Sequence, residues 1–305
     1  MKKLVFAILV PVLILVVVAS GALAKPDTDK PLPATDVELV KKVNIQGKPG
    51  GGKPAKPAAT GILGEQLGVG ANKYAIIVGI SDYPGDANDL KYCDDDAEDM
   101  YNALTTLYGY DPGNIVLLKD LDASFTAIQY AITDIKQKAV ASDEVVFFFS
   151  GHGAKGKADD GDKEKIDEAI VSHDGNQDGN LIAIWDGQLK YWFAGFNTTR
   201  IIFIFDSCLA GGMTDLQAPG RVMNMACSES GVSHEDDSWH NGRFTYFFVD
   251  QGMLWGEADR YDHDKDGVFP EAADVTIEEA FDYAKANCQM QIPTISDSFA
   301  NDLLL

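Results

Sequence analysis

Two residues able to make and break an acyl bond sit in closely similar local settings about fifty residues apart. His152 ends the stretch Phe147-Phe148-Phe149-Ser150-Gly151-His152-Gly153, and Cys208 lies within Ile201-Ile202-Phe203-Ile204-Phe205-Asp206-Ser207-Cys208-Leu209-Ala210-Gly211-Gly212. Each follows a run of bulky apolar residues that reads as a buried strand and stops on a small, polar, Gly-flanked turn. Open α/β sheets place their chemistry at such carboxyl ends of strands. A thiol is only slightly ionised at neutral pH and its thiolate is the nucleophile, so acyl transfer by Cys208 needs a nearby base. His152 has the chemistry to take the thiol proton and hand it to a departing amine. The neighbouring glycines leave room for a substrate backbone to approach. Either motif alone reads more simply as a core histidine or a buried cysteine; the two together favour catalysis.

The elements that must position this pair follow from periodicity. Strands are expected at Tyr74–Ile80, Ile115–Leu118, Val145–Phe149, Glu168–Ser172 and Arg200–Asp206, with another near Arg221–Ala226. Helical spacing covers Asp94–Leu107, Ser124 to about Val140 with Ser124 as N-cap, Gly187–Ala194, Phe244–Met253 and Thr276–Cys288. Ala154 to Lys165 reads as a charged loop. Strands alternating with helices imply a three-layer αβα sandwich around a mostly parallel sheet.

Ser-Gly-His-Gly after one hydrophobic strand and Asp-Ser-Cys-x-x-Gly after another resemble the caspase–metacaspase clan of cysteine peptidases, in a metacaspase-like, prokaryotic form. The resemblance runs from about Lys73 to the C-terminus. It implies a caspase-like fold, a His152/Cys208 dyad working through an acyl-enzyme thioester, and an oxyanion hole made by the N–H groups of Gly153 and Cys208. The mammalian caspase motif Gln-Ala-Cys-x-Gly is missing, with Asp206 in place of the glutamine. In metacaspases the primary pocket is built from residues that correspond to Cys93, Asp96, Ser150 and Asp206. Two carboxylates there would bind Arg or Lys and repel Asp. Read without the resemblance, Asp206 caps a neighbouring helix and Asp94–Asp96 simply open one. A peptidase specific for basic residues could cut itself, and Lys155, Lys157, Lys163, Lys165, Lys73 and Arg221 are the candidate sites if they are exposed.

Two segments open like calcium loops, Asp174-Gly175-Asn176-Gln177-Asp178-Gly179 and Asp262-His263-Asp264-Lys265-Asp266-Gly267. Each has oxygen ligands at positions one, three and five and glycine at six, and neither has the closing Glu. Asp274 is a candidate further ligand for the second loop. The resemblance adds a separate activating calcium site, carried over onto Asp167, Asp186 and Asp215. A solvated acidic surface is the alternative for all of these. Calcium is thus the expected cofactor, with no organic one.

Composition limits the partners. The net charge of −22, from 25 basic and 47 acidic residues, would repel a phosphate backbone, so nucleic acid is excluded and protein or peptide substrates are expected. Residues 1–24 have the charged, apolar and small-residue order of a secretory signal, which predicts an exported protein. An uncleaved membrane anchor is the competing reading. Residues 25–72 read as a Pro/Gly/Lys-rich flexible propeptide or linker in which Lys25, Lys30, Lys48, Lys53 and Lys56 each precede Pro. Of the four cysteines, only Cys227 and Cys288 are candidates for a disulfide, since Cys208 must stay free. The expected activity is therefore an exported cysteine endopeptidase that cleaves after Arg or Lys with calcium assistance. The rivals are an inactive calcium-binding surface module on the same fold, and a clostripain- or legumain-like peptidase or a transpeptidase using the same dyad.

Overall fold

A computed structural model describes residues 28–46, 56–161, 164–175 and 179–305. Its central sheet has six strands: β3 (Lys73–Gly79), β4 (Ile115–Lys119), β5 (Glu144–Ser150), β9 (Ile201–Asp206), β10 (Arg221–Met225) and β13 (Thr294–Asp297). Their spatial order is β13-β10-β9-β5-β3-β4. All pairings are parallel except β13 on β10. The register sets Ser150 beside Asp206, so β5 and β9 end level. That alignment carries the two turns holding His152 and Cys208 to one edge.

Residues along each central strand alternate between two cores, as the two-residue repeat of a strand requires. Ile76, Val78, Phe147, Phe149, Phe203 and Phe205 face one side, where α2 (Phe125–Lys138) contributes Ile128, Ile132 and Ile135 and α3 (Asp186–Phe193) contributes Leu189, Trp192 and Phe193. Ala75, Ile77, Val146, Phe148, Ile202 and Ile204 face the other, against Ala97, Met100 and Leu104 of α1 (Cys93–Thr106) and Ile277, Ala280 and Phe281 of α5 (Ile277–Asn287). The α/β sandwich expected from the strand–helix alternation is thus present. Ser124 caps α2 by accepting from the N–H of Ala127 at 3.1 Å, and Thr276 caps α5 within a capping box. The short α4 (Arg243–Thr245) runs into a π-helical turn, Tyr246–Leu254.

Several expectations need correction. The stretch after His152 is not a loop, because Gly153–Ala158 forms β6 between two other strands. It belongs to a four-stranded sheet of order β1-β6-β7-β8, with β7 (Asp167–Gly175) and β8 (Leu181–Trp185). The remaining member, β1 (Ala34–Val40), comes from the segment read as a linker, as does β2 (Val43–Ile45). β2 joins β11 (His234–Asp236) and β12 (Asn241–Gly242) in a third sheet. Farther along, the N–H groups of Ala58 and Ala59 donate to Asp282 and those of Thr60 and Gly61 to Asp302. Much of residues 28–72 is therefore held on the domain, while the expected signal segment and residues 47–55 lie outside the described residues. Among the described residues no helix is long and apolar enough to cross a membrane.

Of the expected cleavage sites, Lys165 is exposed on a bend, whereas four others are tied into the structure. Lys155 and Lys157 lie in β6 and pair with Glu38 and Asp36 of β1. Lys73 donates to the Tyr108 carbonyl at 2.7 Å, and Arg221 opens β10 with its guanidinium on the carbonyls of Leu216 and Phe193. Cutting there would require the strands to open. Lys163 lies outside the described residues. All four cysteines are free and buried, so Cys227 and Cys288 form no disulfide.

Phe147 packs against Phe193, Phe203 and Phe205 at the centre of one core. Phe147→Ala is expected to lower unfolding stability by about 3–5 kcal/mol in urea titrations. A loss below about 1 kcal/mol would contradict this packing.

Candidate active site

Four polar residues expected to line one pocket do meet. Ser150 closes β5, Asp206 closes β9, and Cys93 and Asp96 stand in the first turn of α1. The Ser150 hydroxyl donates to Asp96 Oδ2 at 2.6 Å. Asp96 Oδ1 accepts from the N–H of Gly242 at 2.8 Å. Asp206 accepts from the Ser233 hydroxyl at 2.6 Å and from the N–H and hydroxyl of Thr245 at 3.0 and 2.8 Å. Asp206 therefore does cap a helix, as its simpler reading held, and its other oxygen still faces the pocket. A side chain at Gly242 would lie 2.4 Å from Asp206 Oδ2 and 2.7 Å from Asp96 Oδ2, so the two carboxylates fit only around a glycine.

The space between these side chains is filled by this chain itself. Lys42, between β1 and β2, has a side chain with no solvent exposure. Its ammonium donates to Ser150 Oγ at 2.9 Å and lies 3.0 Å from Asp206 Oδ1 and 3.7 Å from Asp96 Oδ2. Burial alone would strip its charge. Asp206, with Cys93, Asp96 and Glu235, overcomes that and raises its pKa well above the ordinary lysine value. Burial pushes Asp96 up, opposed by the Lys42 charge and reinforced by Asp206.

Glu235 of β11 was not anticipated. Its Oε1 accepts from the N–H groups of Lys91 and Tyr92 at 3.1 and 3.0 Å, and the Cys93 thiol donates to it at 3.7 Å. It thereby ties the start of α1 to β11. No sequence spacing marks it, nor Ser233 or Lys42. Their roles depend on three strands that are too short and too polar to show a period.

His152 and Cys208 reach the same edge without being hydrogen-bonded to each other. The imidazole Nε2 is 2.6 Å from the Asn88 carbonyl, so it carries the hydrogen, and Nδ1 is buried and unpartnered. The His152 N–H donates to the Tyr83 hydroxyl at 3.0 Å, which donates in turn to the Val171 carbonyl at 3.2 Å. Burial, only partly offset by the Asn88 bond, lowers the imidazole pKa to about 4. The Cys208 thiol turns to Ser233, whose N–H donates to it at 3.3 Å. Burial raises the thiol to about 11. At neutral pH both groups are therefore uncharged. Gly153 lies against Cys208 so tightly that a Cβ there would fall 2.0 Å from the Cys208 carbonyl oxygen. This packs together the two residues expected to supply oxyanion donors. Leu209, next to Cys208, has φ of 61° and lies in the sharp turn that follows β9.

Of the expected metal residues, Asp262, Asp264 and Asp274 have carboxylate oxygens within 4.8 Å of one another, as do Asp264, Asp266 and Glu271. Asp262 Oδ1 is buried without a partner, a place where a hard cation fits. The loop turns through left-handed backbone at Lys265 and Gly267. Asp174 instead accepts from the N–H of Phe125 and anchors α2, while Asn176 and Asp178 lie outside the described residues. Asp186 gathers with Glu164 and Glu168. Among the described residues, Asp167 and Asp215 join no such group: Asp167 accepts from the N–H of Ala158 at 2.8 Å, and Asp215 pairs with Lys190 at 2.8 Å.

The chain is similar to several known proteins. A metacaspase-1 from Candida glabrata is 33% identical over 174 residues, 54% of this chain and 42% of that protein. Metacaspase-4 of Arabidopsis thaliana is 33% identical over 151 residues, 47% of this chain and 34% of that protein. The match thus spans less than half the length of either relative. The solved structure of protein GSU0716 from Geobacter sulfurreducens shares the fold, with a TM-score of 0.54 at 16% identity over 76% of this chain and 95% of that one. The caspase-domain family model matches residues 72–300, and the chain belongs to that family of cysteine peptidases.

Proposed function

We propose that this chain is an exported, calcium-assisted cysteine endopeptidase that cleaves peptide bonds after Lys or Arg. The observation that carries the specificity is the Lys42 ammonium held between Asp206, Asp96 and Ser150. A basic side chain fits that pocket in length and charge. An aspartate side chain would add a third carboxylate to two that are already buried. A tyrosine or leucine would leave both carboxylates without a countercharge.

In the reaction, the imidazole of His152 takes the Cys208 proton as the sulfur attacks the carbonyl carbon of the basic residue. The N–H groups of Gly153 and Cys208 hold the oxyanion. The C–N bond then breaks, the imidazolium gives its proton to the leaving amine, and a thioester remains on Cys208. Water, deprotonated by His152, attacks the thioester, which releases the acid and restores the thiol. This sequence needs the thiol to turn from Ser233 toward the imidazole and the imidazole to leave the Asn88 carbonyl. The observed arrangement is therefore a resting one.

Calcium would be held by Asp262, Asp264 and Asp274, with Asp266 and Glu271 grouped beside Asp264. There it would satisfy the orphaned Asp262 oxygen and fix the segment that precedes α5. Export rests on the N-terminal sequence pattern alone.

Three measurements test this reading. Fluorogenic peptides ending in Arg or Lys should be cleaved, those ending in Asp or Asn should not, and Cys208→Ala should abolish turnover. Asp206→Asn should lower kcat/KM on Arg peptides roughly 100-fold, since one partner of a buried charge pair is lost. Cleavage after Asp by the unaltered chain would overturn the pocket assignment. Calcium should raise the Tm of the chain, and Asp262→Asn together with Asp264→Asn should remove that rise. An unchanged shift in the double variant would place the ion elsewhere. Finally, the rate of Cys208 alkylation by iodoacetamide should climb about tenfold per pH unit from pH 7 to 10, because the thiolate fraction does so below a thiol pKa of about 11. A plateau already below pH 8 would instead show a preformed thiolate–imidazolium pair.

A further inference from the structure

We propose that residues 39–45 lie in the cleft in the direction opposite to a substrate, so that Lys42 plugs the basic pocket without presenting a bond that can be cut. The proposal rests on the pocket reading given above and adds a regulation to that site.

Direction follows from the chemistry. The leaving nitrogen belongs to the residue after the scissile bond and must receive its proton from His152. The C-terminal half of a substrate therefore runs out on the imidazole side, and the N-terminal half runs away from it. The imidazole side is marked by β6, which begins one residue after His152, and by Asn88, whose carbonyl holds the ring.

The strap residues found on that side all precede Lys42. Leu39 and Val40 stand opposite Ala154 and Gly153 in β6. The Lys41 ammonium donates to the Ala87 carbonyl and to Asn88 Oδ1. The residues that follow Lys42 lie on the far side of the sulfur. The Val43 N–H donates to the Ser233 carbonyl at 3.2 Å, and Val43, Asn44 and Ile45 stand opposite His234, Glu235 and Asp236 in a parallel pair. Ser233 is also the residue toward which the Cys208 thiol turns. The strap thus crosses the cleft from the leaving-group side to the acyl side, whereas a substrate crosses it from acyl to leaving-group side.

The plug is anchored well beyond the pocket. The Thr28 carbonyl accepts from Gln188 Nε2 and Trp192 Nε1 at 3.3 and 3.1 Å, and β1 pairs with both ends of β6 around a bulge between Thr35 and Glu38. A tethered plug acts at an effective concentration of the order of millimolar, enough to exclude peptides that bind in the micromolar to millimolar range. It also explains why the thiol and imidazole face away from each other while the pocket is full.

The test compares the full chain with Lys42→Ala and with Val43→Pro. The second variant keeps the pocket lysine but removes the N–H that docks β2 on Ser233. Thermal melts establish that both are folded. Both are expected to hydrolyse Arg peptides roughly tenfold or more faster than the unaltered chain. Mass spectrometry of the unaltered chain after long incubation should find the Lys42–Val43 bond intact. Equal activity in all three proteins would overturn the plug. A cut between Lys42 and Val43 that Cys208→Ala abolishes would overturn the direction. Folded variants that cleave after Asp or Asn but not after Arg or Lys would instead remove the basic-pocket reading, and this proposal with it. Resistance of the Lys42–Val43 bond, together with activity released by Val43→Pro, is an outcome that a merely structural strap would not give.

Discussion

Two buried carboxylates set the terms for the rest of this molecule. Asp96 and Asp206 are both inaccessible to water and close enough to share one ammonium. Ionised carboxylates do not stay in such a place unless hydrogen bonds and a positive charge compensate for lost solvation. The fold supplies the hydrogen bonds from four different elements: Ser150 at the end of β5, Ser233 ahead of β11, Gly242 in β12 and Thr245 in α4. The charge comes from Lys42 on the strap. The level ending of β5 and β9, the glycine at 242 and the course of the N-terminal segment all answer to this one electrostatic demand. Next to it, Cys208 and His152 hold a neutral thiol and a neutral imidazole, each bonded to other partners.

The central sheet and its helices were legible in the sequence because their signals are local. Phe147–Phe149 and Ile201–Phe205 are apolar runs that only buried strands explain, and Ser124 and Thr276 mark helix starts by their own side chains. His152 and Cys208 were legible through their two motifs, and Cys93, Asp96, Ser150 and Asp206 through the resemblance those motifs carry; the last four gather around Lys42. The parts missed share another character. β1, β2, β6, β11 and β12 are short or polar, and each exists because another segment distant in sequence offers it an edge. Gly153–Ala158, with lysines and glycines, reads as a loop until β1 and β7 flank it. Lys42 carries no motif at all, since its meaning comes wholly from where the chain crosses the cleft.

The metal expectations divide along a similar line. Asp264 comes close to Asp262 in one group and to Asp266 in another, because all three share one tight turn, which sequence spacing can express. The set carried over from distant positions depends on how loops pack: Asp186 gathers with Glu164 and Glu168, while Asp167 and Asp215 take a backbone N–H and a lysine as partners.

The pairing of β1 with β6 has one more consequence. While the strap is in place, β6 is an inner strand with neighbours on both sides. Once the strap lifts, its outer row of N–H and C=O groups becomes a bare sheet edge beside the imidazole. Such an edge invites strand addition by any extended polypeptide, whatever its side chains. An opened protein would therefore grip its targets partly by main-chain pairing, and favour unfolded or loosely held segments over compact ones. The same edge would also make opened molecules prone to pair with one another.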